Sequence, residues 1–260
     1  MSAMNWRSWL LPAALAILLV NGRVAESLAG VPPSGLPWVA VGPFELAAVI
    51  VGFGALWQGR AHLGDTLVPG SILVAASIVP SALVGWTGLT VGSVIAAWRM
   101  PRVRSALLLF AGVAICHLMA SPTFRLVTAP LQAAEAKLVA AVASSIVGPA
   151  TSSSNLVLLS DGRSLVILPG CSVLATAGPA LLGWLALRVW RRQPVSAAWP
   201  SALLLLGLLL LLNTARMVGM CVGQDWYHSL HEGVGATAID LLAVALVFLT
   251  AQPWRTEPSP

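Results

Sequence analysis

Long stretches of this chain carry no charge. No charged residue lies between Arg192 and Arg216, and the next after Arg216 is Asp225. Several near-uncharged runs approach the roughly 20 residues that a helix needs to cross a bilayer. Charged residues make up 9% of the 260, and hydrophobic residues 58%. A soluble domain carries about 25% charged residues. A transmembrane barrel would show alternating segments of about ten residues, and none is present. The expected fold class is therefore an all-α polytopic membrane protein.

The apolar runs fall at about 9–21, 36–56, 67–98, 105–120, 171–187, 202–222 and 233–250. The run at 67–98 is too long for one comfortable helix and short for two. VGWTG at 84–88 is a candidate tight turn inside it, which makes about eight transmembrane helices. Read as one helix, it leaves seven, and eight is the favoured reading. The first run follows Arg7 and resembles a signal peptide, with VAESLAG as its cleavage region. In a chain this apolar it reads as an uncleaved span. Residues 127–147 carry Gln132, Glu135 and Lys137, and are expected outside the hydrocarbon or along its surface. No repeat or low-complexity tract divides the chain. It reads as one integral-membrane domain over 1–252, with N-terminal spans at 9–98 and a second half at 105–250. Residues 253–260 read as a disordered cytoplasmic tail.

Charge sets the expected orientation. RMPRVR at 99–104 and RVWRR at 188–192 are the strongest basic clusters, and Arg255 follows the last span. All should be cytoplasmic. The net charge of +5 is thus a topology signal and points to no nucleic acid. The segment before residue 171 and the loop after residue 222 then lie outside. The outer segment contains LVLLSDGRSLVIL, two β-type runs flanking Asp161-Gly162. Asp-Gly there predicts a β-hairpin with both turn residues at positive φ. A hairpin with open edges cannot sit in lipid, so it belongs at the outer surface, just before Cys171.

Three polar groups converge on that outer face. Cys171 heads an inward-running span. Arg216 lies about 14 residues into an outward-running span, about 21 Å along a roughly 30 Å core. His228 and His231 occupy the outer loop before the last span. A cation at that depth marks a functional site by default. A Cys beside a His can form a thiolate–imidazolium pair, which activates the nucleophile. Arg cannot serve as the base, but it can stabilise a thiolate or an oxyanion.

Each residue also has a plain structural reading. Cys171 can be a small hydrophobe. Arg216 can pair with Asp225 or snorkel to the surface. The loop histidines can simply be solvated. The three cysteines, Cys116, Cys171 and Cys221, form no CxxC motif. An odd number leaves at least one thiol free of any intrachain disulfide, and Cys171–Cys221 is a candidate pair. Cys116 and His117 are adjacent on a helix and do not face each other. HSLHE at 228–232 places two histidines on one helix face, but no HExxH order or third ligand accompanies them. No metal or cofactor is expected.

The order of these pieces resembles the exosortase/archaeosortase family. The pieces are GCS with Cys171 and Ser172, NTAR with Asn213 and Arg216, and HEGVG with His231 and Gly235. LQAAEAKLVAAV before the hairpin is also similar. The likeness covers about residues 125–250. Many relatives carry Gly two residues after the Cys, where this chain has Val173, and a basic residue soon after, where it has none until Arg188.

The resemblance implies a membrane cysteine transpeptidase or peptidase of the cell inner membrane, with its active site at the extracytoplasmic face. Its partners would be exported proteins ending in a short motif such as Pro-Glu-Pro, a transmembrane helix and a basic tail. Cys171 would attack the scissile carbonyl and form a thioester. Arg216 would orient the substrate and stabilise the oxyanion. His231 would be the acid/base. Asn213 and Ser172 are candidate substrate-binding residues. An acyl acceptor of unknown identity would complete the reaction. Two other readings stand beside it. One is a transporter or channel with Arg216 as a pathway charge, joined by Glu45 and Asp240. The other is a non-catalytic envelope-assembly subunit.

Overall fold

The computed structural model describes residues 10–28, 42–58, 63–79, 81–120, 125–195 and 198–252. It is mostly helical, with one small sheet. The elements are α1 (Leu10–Leu28), α2 (Pro43–Gln58), α3 (Leu63–Ile78), α4 (Ala82–Arg99), α5 (Arg104–Ala120) and α6 (Arg125–Ile146). Strands β1 (Ala150–Ser153), β2 (Leu156–Leu159) and β3 (Ser164–Val166) follow. Then come α7 (Val173–Trp190), α8 (Trp199–Val222), α9 (Gln224–His231) and α10 (Val234–Thr250). Position 9, residues 29–30 of the candidate cleavage region, residues 36–41 of the second apolar run and the 253–260 tail lie outside the described residues.

Among the described residues, three helical stretches are long and apolar enough to cross a membrane: Pro101–Met119, Val173–Trp190 and Trp199–Val222. Gln224–His231 and Val234–Thr250 qualify together as a fourth, bent by 47°. Leu11–Gly22, Pro43–Trp57 and Val68–Ile78 are shorter apolar helices. Large apolar side chains such as Leu211, Leu241 and Leu249 are exposed on α8 and α10. Water would penalise such surfaces on long helices, and lipid would not. Trp98, Trp190 and Trp199 are exposed at the ends of α4, α7 and α8, where indoles favour the membrane–water boundary. The protein is membrane-embedded.

The chain forms two compact units. The first comprises residues 1–121 and 182–197. Its core includes Leu15 and Leu18 of α1, Leu73 of α3, Trp86 of α4 and Phe110 of α5, all fully buried. The expected turn at 84–88 is absent. Those residues lie inside α4, and the chain breaks instead between Ile78 and Ala82. The sequence has a proline at position 80, outside the described residues, and proline lacks an N–H and disfavours helix in the residue before it. The glycines of VGWTG and beyond serve packing. A Cβ on Gly92 would sit 2.7 Å from Leu73 Cδ2, and one on Gly88 would strike the Ala76 methyl. Gly88 and Gly92 thus form a small-xxx-small stripe that lets α3 and α4 approach closely.

The second unit comprises residues 122–181 and 198–260. Alanines 136, 140 and 143 recur at helical spacing on α6 and meet Val157 and Leu165 of the sheet, Ile167 just after it, and Met217 and Val218 of α8. Gly148, at φ 113°, ends α6 in the left-handed region. Ser144 Oγ then accepts from Ala150 N at 3.1 Å, which ties the helix end to β1.

The expected hairpin is present as β2 and β3, with Val157 opposite Leu165. Its turn differs from the expectation. Only Gly162 has positive φ, at 86°. Leu159 N donates to Arg163 O and Gly162 N to Leu159 O, which makes a three-residue loop with glycine at the left-handed position. The sheet also has a strand the sequence did not announce. β1 pairs antiparallel with β2, giving the order β1-β2-β3. β1 is ATSS, short and polar, so its pattern alone gave no strand signal.

Candidate active site

Strand β3 delivers the chain to Cys171 through a single 3-10 turn, Pro169–Cys171. Leu168 O accepts from both Cys171 N and Ser172 N, at 2.9 and 3.1 Å. Ser172 then caps α7. Its backbone is extended, and its Oγ accepts from Leu174 N at 3.3 Å. This is the N-cap geometry that Ser favours. Ser172 is therefore buried as a cap, not presented as a substrate contact.

Two residues from other helices fix the backbone around the thiol. Asn213 of α8 donates from Nδ2 to Cys171 O at 3.0 Å. Glu135 of α6 accepts at one oxygen, Oε1, from Ser172 Oγ and Val173 N, both at 3.0 Å. Its carboxyl thus sits at the N-terminus of α7, where helix dipole and free N–H groups favour an anion. Burial pushes the Glu135 carboxyl above the usual carboxylate range, and the bonds from Ser172 and Val173 oppose that rise. Glu135 Oε2 and Gln132 Nε2, one helical turn apart on α6, are buried with no hydrogen-bond partner among the described residues.

His231 ends α9 with its Nε2 3.9 Å from Cys171 Sγ. On the other side of the ring, Nδ1 lies 3.2 Å from Glu232 Oε1. In the tautomer that carries its proton on Nδ1 toward that carboxylate, Nε2 is the nitrogen left to accept from the thiol. The ring stacks on Tyr227 at 5.2 Å between centroids and 11° between planes. A thiol, an imidazole and a carboxylate are thereby in sequence, an order that a nucleophile with a general base would also need.

Arg216 meets this site from behind. Its Nε donates to Leu230 O at 2.9 Å and its Nη2 to His231 O at 3.4 Å. These are the last carbonyls of α9, where a cation is favoured. Among the described residues, Arg216 Nη1 makes no hydrogen bond, and Arg216 makes none with Asn213 or Asp225. The glycines of HEGVG allow the turn into α10. A Cβ on Gly233 or Gly235 would lie 3.0 Å from Ser229 O, and one on Gly235 would also lie 2.9 Å from Leu230 Cδ2.

Cys171 and His231 line one cavity of about 510 Å³, together with Tyr227, Gln224, Met220 and Cys221. That volume is in the range of small-ligand sites. Cys171, Cys221 and Cys116 are all free thiols, so the candidate Cys171–Cys221 disulfide is not formed. His228 contacts Gln224 at 3.3 Å and is not part of the cavity wall. No cluster of three or more His, Cys, Asp or Glu side chains suited to a metal occurs among the described residues.

Sequence reasoning missed Glu135 and Tyr227 as site residues. Glu135 had one signal, a lone acid amid the alanines of LQAAEAKLVAAV. Tyr227 is the only tyrosine of the chain, but nothing in the sequence pairs it with His231. No family model, curated protein or solved structure matches this chain.

Proposed function

We propose that the chain is a membrane cysteine peptidase or transpeptidase that removes the C-terminal sorting signal of exported proteins. The observation that carries this reading is the approach of Cys171 Sγ to His231 Nε2, 3.9 Å, in a cavity large enough for a peptide segment. His231 Nε2 takes the thiol proton, and the sulfur forms a bond to the scissile carbonyl carbon. The proton then passes to the departing amide nitrogen as the C–N bond breaks. This leaves a thioester on Cys171. An amine or water attacks the thioester, and the thiol is regenerated. Arg216 holds the carbonyls of Leu230 and His231 from behind and does not line the cavity, so in this reading it positions the imidazole and does not touch the oxyanion.

The substrate class follows from the resemblance of GCS, NTAR and HEGVG to the exosortase/archaeosortase motifs. In this reading the chain crosses the inner membrane about eight times. The clusters at 99–104 and 188–192 lie in the cytoplasm, and Cys171 faces the opposite side. Cys171→Ala should insert normally and leave the substrate's terminal helix attached. Mass spectrometry should find an acyl adduct on Cys171 of the active protein. Normal processing by Cys171→Ala would overturn the reading.

One observation favours the transporter alternative. In the first unit, buried Glu45 and His117 approach to 3.7 Å, and Trp86 stacks on the imidazole at 4.1 Å. Ionisable pairs inside a membrane often mark ion pathways. That alternative requires transport to persist in Cys171→Ala and to fail in Glu45→Gln.

A further inference from the structure

Strand β3 has one paired edge and one unpaired edge. Its partner is β2, and the sheet ends there among the described residues. The ladder identifies which backbone groups face outward. Leu159 N donates to Arg163 O, and Ile167 N to Asn155 O. In an antiparallel pair the bonded positions alternate. Arg163 and Leu165 therefore bond inward to β2, and Ile167 to Asn155 just before it. Ser164 and Val166 direct their N–H and C=O groups away from it. Leu165 and Ile167 side chains are buried in the core, while Val166 and Leu168 are exposed. The strand itself contains no Pro, Lys or bulge, the devices that usually protect such an edge.

That edge lies along the cavity of the thiol. Arg163, Ser164, Leu165 and Val166 line the same space as Cys171 and His231. Between Val166 and Cys171 the chain makes only a short extended link and one 3-10 turn. A row of alternating N–H and C=O groups is complementary to one kind of ligand, another extended peptide backbone. Leu165, Met217 and Met220 add an apolar wall for its side chains.

We infer that the edge of β3 at Ser164 and Val166 binds the substrate as a fourth strand and so leads its scissile carbonyl to Cys171. This rests on the peptidase reading and specifies how that site holds its substrate. Recognition is of an extended, unfolded segment. Main-chain bonds supply affinity, and every second side chain reads the sequence. A folded or helical segment does not fit, so the scissile region of the substrate must be extended beside its membrane helix.

The test uses the full chain in lipid nanodiscs and acetyl-tetrapeptide vinyl sulfones with randomised side chains. The Cys171 sulfur adds to the vinyl carbon, the neighbouring carbon takes up the proton, and peptide mapping by mass spectrometry reports the adduct on Cys171 separately from Cys116 and Cys221. Iodoacetamide labelling gives the intrinsic reactivity of the thiol. Each peptide position is then N-methylated in turn, which removes one backbone donor. Methylation at alternate positions should slow labelling by about three- to tenfold, and methylation at the intervening positions should not. Val166→Pro deletes one outward N–H and leaves the β2 pairing intact. It should lower the ratio of peptidyl to iodoacetamide labelling by a similar factor. A thiol that iodoacetamide labels, with no period-two dependence on methylation, overturns the strand-pairing proposal alone. A Cys171 that neither reagent labels overturns the peptidase reading beneath it.

Discussion

The side chain of Asn213 is bonded to the backbone of Cys171, Nδ2 to O at 3.0 Å. Helix α8 therefore holds the main chain of the candidate nucleophile directly. The Cys171 carbonyl is anchored by α8, while the next two residues are anchored on Glu135 of α6. The thiol sits between two fixed points and does not depend on its own helix alone for position.

Asn213→Ala removes one anchor. A partly buried carbonyl that loses its donor costs up to about 1–3 kcal/mol. The variant should melt earlier in detergent and process substrate at least about tenfold more slowly, since misplacing a reacting group by about an ångström costs that much or more. Asn213→Asp should be no better, because its carboxylate faces the carbonyl oxygen. Full activity in either variant would show that Cys171 is held by other means.

Glu135 makes the pH dependence specific. Burial raises its carboxyl above the ordinary value near 4.5. A raised folded pKa means that folding favours the protonated form. That contribution is fully present below the unfolded value and is lost as pH rises through the folded one. Glu135→Gln keeps an oxygen for Ser172 and Val173 and has no proton to lose. The stability of wild type relative to Glu135→Gln should therefore fall with pH from about 4.5 upward and level off above the folded pKa. Melting curves across that range check the sign. A rise instead would show that the bonds from Ser172 and Val173 outweigh burial. Glu135→Ala leaves both donors without a partner and should cost about 1–3 kcal/mol at any pH.

Arg216 holds two carbonyls with different nitrogens, a geometry lysine cannot copy. Arg216→Lys keeps the charge at the end of α9 and should stay within about 1 kcal/mol of wild-type stability. Its processing rate should nonetheless fall by at least about tenfold, as His231 loses its support from behind. Equal rates for the two proteins would reduce Arg216 to a charge at a helix end.

Gly235→Ala tests the α9–α10 turn. The added methyl would meet Ser229 O and Leu230 Cδ2 at 3.0 and 2.9 Å, and crowding of this kind costs about 1–3 kcal/mol. Since Leu230 and His231 are adjacent, the displacement should reach the imidazole. The melting temperature should drop and substrate processing with it. Processing that survives a clear loss of stability would mean that the turn yields away from His231.

The sequence alone determined the membrane class, the helices near 105–120, 171–187, 202–222 and 233–250, and the hairpin around Asp161-Gly162. These are local properties. Apolar runs, basic flanks and turn glycines act within a few residues of where they stand. The same locality explains the errors. VGWTG looks like a turn in isolation, but Gly88 and Gly92 let α3 pack against α4. β1 has no apolar alternation of its own and forms because β2 lies beside it. The site needed tertiary structure for a related reason. Cys171 and His231 are 60 residues apart, and Ser172 and Glu135 are 37. Residue types and charge placed Cys171, Arg216 and His231 toward one face, but only packing decided the partner of each polar atom. It set Asn213 on the Cys171 carbonyl, Glu135 beneath α7, and Arg216 behind the imidazole. Hydrogen bonds reach about 3 Å, and no spacing along the chain can foretell a match that close between separate helices.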